Sequence, residues 1–254
     1  MYYLNAYEKK VLSRVTKPYY MKPLLNYISS TILKTDEDIK LQWRNVFDRL
    51  YEILVNSKDE VDKLLKERVK KREIHDIDQA RKSIAGNAFS NLLIYTFIKN
   101  KEYENIKEHI FINHRISEIK GFENIATIRV QDETQKPDVD VVIFTQKPNG
   151  LLDKSIILSL KTSLRERAGQ TYKWKLLLEI ATSDNPIKDK YKISYETHQI
   201  PYICFATVNF YNEIDNPQHR GMFKFFDEVF IAKPIERDFI KPLSKLIDFV
   251  NDKL

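Results

Sequence analysis

Apolar residues recur at helical spacing over the first hundred positions of the chain and give way to short continuous runs near Phe122. In LQWRNVFDRLYEIL, Leu41, Val46, Leu50 and Ile53 fall near one face of a predicted helix. Ser57, followed by Asp59 and Glu60, has the form of an N-cap with an acidic first turn and opens a charged helix through Lys71. A third helix, from about Asp78 to Lys99, carries Ile84, Phe89, Leu92, Leu93 and Phe97 as its apolar face. Beyond Phe122 the pattern changes. ENIATIRV, VDVVIF, KSIILSL and YICFATVNF are rich in Val, Ile and aromatics and bounded by turn formers, so they predict strands, with KFFDEVFIA a further one. QTYKWKLLLEIAT has helix length and lies between two of these strands, and the chain closes with a helix from about Pro242 to Lys253.

Strands around a crossover helix predict an α/β fold: a mixed β-sheet core flanked by helices, with an N-terminal helical region over residues 1–77 and the core over 78–254. No repeat with a period of 20 to 50 residues is visible.

Composition narrows the classes. The net charge of +6 favours a nucleic-acid partner, because basic side chains that neutralise phosphates release counterions. The single cysteine, Cys204, excludes a disulfide framework and a cysteine-based zinc site. His75, His109, His114, His198 and His219 have neither metal-ligand spacing nor a serine or cysteine partner pattern. P-loop and GxGxxG patterns are absent, which argues against nucleotide-driven translocation. No apolar stretch is long enough to span a membrane, and the opening MYYLNAYEKK lacks the order of a signal peptide, so the expected location is cytoplasmic.

Candidate chemistry concentrates in KPDVDVVIF (136–144) and SLKTSLRER (159–167). Asp138 and Asp140, two apart at the start of a strand, point to one side, and Lys161 ends the strand KSIILSL. If those strands pair through TQKPNGLLDK, acid and lysine meet at one sheet edge. Phosphodiester hydrolysis calls for that set: carboxylates to hold Mg²⁺, and a lysine to orient the nucleophile or steady developing negative charge.

Pro137-Asp138, then a strand, then Ser159-Leu160-Lys161 resembles the PD-(D/E)XK nuclease superfamily. With Arg165-Glu166-Arg167 following the lysine, the segment resembles the type II restriction endonucleases that read CCGG, CCNGG or CCWGG, a likeness covering roughly residues 78–210. The resemblance implies a restriction-endonuclease-like fold, Mg²⁺ as cofactor, double-stranded DNA as substrate, a homodimer or higher oligomer, and a companion DNA methyltransferase. It assigns Asp138 as metal ligand and Lys161 as the catalytic lysine. Arg165 and Arg167 would contact guanine, with Glu166 on cytosine, which accords with the donor and acceptor pattern of G·C pairs in the major groove.

The chain departs from the family at several positions. Ser159 stands where an acid usually precedes the lysine by two; in this subgroup the following helix supplies the acid instead, and the only carboxylate there is Glu179. Glu179 is therefore expected as second metal ligand and catalytic acid, although it lies eighteen residues after Lys161, about one helical turn beyond the family spacing. Asp140 is the fallback. In the helix RKSIAGNAFSN, Ser90 occupies a place where a glutamate often contributes. Trp43 reads as core packing, with a role against DNA the alternative, and His219-Arg220 is a candidate phosphate contact. Two rival functions stay open: a structure-selective repair or junction nuclease, and a non-catalytic DNA-binding protein.

Overall fold

The computed structural model describes residues 1–33, 38–164 and 168–254. The first third is helical: α1 (Ala6–Thr16), α2 (Met21–Tyr27), α3 (Ile39–Val46), α4 (Leu50–Asn56), α5 (Lys58–Lys70) and the long α6 (Ile77–Glu102). Asn5 and Glu8 close a reciprocal capping box on α1, and Asp76 caps α6 by accepting from Asp78 N and Gln79 N. Ser57 does not cap α5: it stays in helical conformation between α4 and α5, and its hydroxyl is buried without a partner. Val46, Leu50 and Ile53 are buried as their spacing predicts, while Leu41 is exposed. Trp43 is buried in the core, its ring stacked on Tyr103 at 6.1 Å.

The remainder supplies β1 (Phe111–Asn113), α7 (Phe122–Ile125), β2 (Ile128–Val130), β3 (Glu133–Gln135), β4 (Val141–Gln146), β5 (Leu152–Lys161), α8 (Ala168–Thr182), α9 (Pro186–Tyr191), β6 (Ile193–Ser194), β7 (Tyr202–Thr207), α10 (Pro217–Phe223), β8 (Glu228–Ile231), β9 (Lys241–Pro242) and α11 (Lys245–Lys253). ENIATIRV is therefore divided, its first half forming α7 and only Ile128–Val130 pairing as a strand. Among the described residues six strands form the main sheet in the order β1-β4-β5-β7-β8-β9, and β3-β2-β6 form a small second sheet. β1, β4 and β5 run antiparallel to their neighbours, whereas β5, β7, β8 and β9 are parallel, so the sheet is mixed. Parallel pairing of β5 and β7 demands a crossover, and α8 provides it.

Alternation along the central strands divides the core in two. Ile156, Leu158 and Leu160 of β5 join one apolar cluster with Val11, Phe47, Phe89, Phe97 and Leu246, so the N-terminal helices, α6 and α11 cover that face. Ile157, Val142, Phe144, Ile203 and Phe205 join the other, covered by Trp174 and Leu178 of α8 and Phe223 of α10. Each fully buried Leu, Ile or Phe contributes roughly 1.5–3 kcal/mol, which makes these faces the main source of stability. A buried ion pair between Glu8 of α1 and Lys101 of α6 pins the first helix, and Lys101 Nζ also donates to the Ile110 carbonyl at 2.8 Å. Among the described residues no helix is long and apolar enough to cross a membrane.

Candidate active site

The β4–β5 hairpin turns at Gly150, whose φ of 79° lies in the left-handed region that glycine adopts without strain. Its register pairs Val141 with Leu158, which brings the residues just before Val141 beside the last residues of β5. Pleating does the rest. Ser159 and Lys161 share the face of Ile157; Asp140 and Asp138 precede Val142 by two and four and point to the same side.

Lys161, Asp138, Asp140 and Ser159 therefore meet at the C-terminal end of β5. Lys161 Nζ donates to Asp138 Oδ2 at 3.0 Å and to Asp140 Oδ2 at 2.9 Å. Asp140 Oδ2 also accepts the Leu160 N–H at 2.7 Å, and Ser159 Oγ lies 3.5 Å from the same oxygen. Ser159 Oγ is 3.0 Å from Thr171 Oγ1, so the buried serine fastens the strand to the first turn of α8. The Lys161 side chain is only 8% exposed, against 47% for Asp138 and 31% for Asp140. A buried ammonium needs paired carboxylates, and these two face outward, where a phosphate can reach them.

The structure does not bring Glu179, the acid expected from the following helix, to this cluster. Thr171 is the α8 residue at Ser159; Glu179 lies eight residues further, about 12 Å along the axis at 1.5 Å per residue. There it pairs with Lys175 Nζ at 3.2 Å, and Lys175 also donates to Asp227 Oδ1 at 2.9 Å. Asp227 Oδ2 accepts the Ile203 N–H at 2.6 Å, which fixes this second cluster at the start of β7. Lys161 pairs instead with Thr207, at the end of that strand. Burial works against the Lys175 charge, but Asp227 and Glu179 outweigh it and hold the ammonium above its ordinary pKa. Asp140, the fallback of the sequence argument, is the acid found beside Asp138. Arg165, Glu166 and Arg167 lie outside the described residues.

Other expectations find their places too. Asn91, next to Ser90, donates to the Tyr20 hydroxyl at 3.1 Å. His219 Nδ1 lies 2.9 Å from the Glu213 carbonyl, which gives that ring a role inside the loop after β7. Thr171 and Glu213 went unnoticed in the sequence. Thr171 stands ten residues past Lys161 on the crossover helix, and only the geometry of that crossover marks it as a neighbour of Ser159. Glu213 is fifty residues from the segment it binds and has no local signal at all.

Asp138 and Asp140 fit a magnesium ion. Mg²⁺ takes one or two protein carboxylates and completes its shell with water and substrate phosphate, so an open pair of acids beside a lysine suits it. Among the described residues no group of three or more His, Cys, Asp or Glu side chains is assembled as a closed metal cage.

A mixed sheet with helices on both faces, a helical N-terminal region and this strand-end cluster together define a restriction-endonuclease-like protein. The family model described as BsaWI restriction endonuclease type 2 matches residues 115–249, just over half of the chain. The chain belongs to that family and is a type II restriction endonuclease, a site-specific deoxyribonuclease. A search of curated proteins gives no match.

Proposed function

We propose that the chain hydrolyses both strands of duplex DNA in a Mg²⁺-dependent reaction at a palindromic site with a CCGG-type core (CCGG, CCNGG or CCWGG), leaving 5′-phosphates. The observation that carries this reading is the position of Lys161 Nζ between Asp138 and Asp140, four residues before Arg165. Asp138, the more exposed acid, would hold the ion with Asp140 beside it. When bound, the ion supplies positive charge to the scissile phosphate and acidity to water. Lys161, charged and fixed by two acceptors, orients the attacking water and offsets negative charge developing on the phosphate. Asp140 sets the ammonium's direction because its own Oδ2 is anchored by the Leu160 N–H. Arg165, Glu166 and Arg167 form the base-reading element, matched to guanine O6 and N7 and to cytosine N4.

A palindromic site calls for a two-fold homodimer, since site symmetry mirrors protein symmetry. The same reading calls for a companion methyltransferase acting on that sequence. We further propose that the chain divides into an N-terminal helical region, residues 1–77, packed on a catalytic core of residues 78–254.

Digestion of a long unmethylated DNA with and without Mg²⁺, followed by sequencing of the fragment ends, tests the proposal. Discrete Mg²⁺-dependent fragments sharing a CCGG, CCNGG or CCWGG core, lost in Asp138→Ala, are the expected result. Fragments with ends of unrelated sequence would point instead to a shape-selective nuclease. Binding without cutting, over a range of salt and site number, would leave a DNA-binding protein.

A further inference from the structure

The loop that leaves β7 is tied, residue by residue, to the segment that leaves β5. Phe210 N donates to the Thr162 carbonyl at 3.2 Å. One carboxylate oxygen of Glu213, Oε2, accepts both the Leu164 N–H at 2.8 Å and the Ser163 hydroxyl at 3.1 Å. Leu164 is itself buried in the core beneath α8. Residues 162–164 are therefore held at three consecutive positions, and they are the only residues between Lys161 and Arg165.

Glu213 is a firm anchor because its own backbone is fixed on both sides. Its N–H donates to Asn209 Oδ1 at 2.7 Å, and its carbonyl meets His219 Nδ1 of α10 at 2.9 Å. Asn209, in left-handed conformation at φ 50°, donates its N–H to Thr207 Oγ1 at 2.9 Å. The Asn209 carbonyl accepts from Lys233 Nζ, just past β8, at 3.1 Å. The loop is thus built from the ends of β7 and β8, the first of which pairs Thr207 with Lys161.

From this we infer that Glu213 is a positioning residue for sequence specificity: it fixes the length and direction of the link between the cutting lysine and the base-reading segment 165–167. The inference rests on the proposed role of that segment. With the link fixed, correct base contacts and correct placement of Lys161 at the phosphate occur together, and a mismatched base displaces both. With the link loose, Lys161 reaches the phosphate whether or not the bases match. Loss of Glu213 should therefore erode discrimination more than rate.

The test compares cleavage rates on oligonucleotide duplexes carrying the enzyme's own site and the same site with single-base changes, for the full chain and for Glu213→Ala, Glu213→Gln and Arg165→Ala. Glu213→Ala should lower the cognate-to-mismatch rate ratio at least tenfold. Glu213→Gln, which keeps a carbonyl oxygen able to accept both donors, should restore much of it. A merely structural role lowers the active fraction equally on every duplex and leaves the ratio unmoved. A ratio within twofold of wild type in Glu213→Ala, with Arg165→Ala losing its preference, would overturn the role of Glu213 alone. If Arg165→Ala keeps full preference, the assignment of the base-reading segment fails and this inference fails with it.

Discussion

Two buried lysines, one at the end of β5 and one on the α8 helix that covers the same sheet face, each lie between two carboxylates, and only one of these clusters has the makings of a catalytic centre. Lys161 holds Asp138 and Asp140 at the end of β5; Lys175 holds Asp227 and Glu179 near the start of β7. Both ammonium groups are buried and their partners are exposed to similar degrees, so burial and charge count do not separate them. Position does. The acids of the first cluster come from the stem entering β4, and its lysine leads within four residues to Arg165. The second closes within α8 and onto the Ile203 backbone, joining a crossover helix to the strand it precedes. A lysine flanked by two acids is evidence of balanced charge; its place relative to strand ends and neighbouring segments makes it a candidate for chemistry.

Replacing each lysine by methionine is the strongest test of that distinction. Lys161→Met should reduce cleavage by at least about 10²–10³-fold, the scale of removing one group that stabilises developing charge. Lys175→Met should keep cleavage at low temperature and unfold earlier on heating. A comparable loss of cleavage from both, with both proteins folded, would make the second cluster part of the machinery.

The second test separates the acids. Asp227 bridges Lys175 and the Ile203 N–H, so Asp227→Asn should cost roughly 1–3 kcal/mol of stability, measured by urea unfolding, with little effect on cleavage by the folded protein. Asp140→Asn should do the opposite, lowering cleavage more than stability, since its amide no longer balances Lys161. Equal profiles for the two variants would break the comparison.

Much of this arrangement was legible in the sequence. The Val- and Ile-rich runs located β4, β5, β7 and β8, and the helix-length QTYKWKLLLEIAT between two of them announced the crossover. Asp138 and Lys161 can be paired from the sequence because a hairpin between their segments leaves little freedom. Glu179 lies apart from Lys161 for a physical reason that residue spacing does not carry: α8 starts beside Ser159 and runs toward the start of β7, so each further turn leads away from Lys161. Ser57 illustrates a different limit. Its type suits an N-cap, but a continuous helical path from α4 into α5 leaves no extended residue for it to occupy. Ser159, read as a missing acid, is fully buried against Thr171, where a carboxylate would lack the solvent that Asp140 enjoys.

The two clusters also differ in what pH should reveal. The folded pKa of Lys175 is raised, so its contribution to stability is complete below the unfolded lysine value of about 10.4 and is lost as pH rises through the higher folded value. Melting temperatures taken from pH 9 to 11.5 should fall more steeply in wild type than in Lys175→Met, narrowing the gap between them. A gap independent of pH across that range would mean that the ammonium charge contributes nothing to the cluster.

The smallest expected effect bears most directly on the assignment of the acids. Glu179 is half exposed and meets Lys175 across one helical turn, a pair of the kind worth about 0.3–0.5 kcal/mol. Its removal leaves Lys175 still bonded to Asp227. Glu179→Ala should therefore keep cleavage within about twofold of wild type and move the melting temperature by no more than a degree or two. The informative partner is Asp140→Ala, which removes the acid that Lys161 holds. If Glu179→Ala abolished cleavage while Asp140→Ala did not, α8 would have to deliver its lower turns to Lys161 when DNA is bound, and the strand-end site would need a different second acid. If only Asp140→Ala loses activity, the acid missing at Ser159 is replaced from the segment entering β4 and not from the helix that follows.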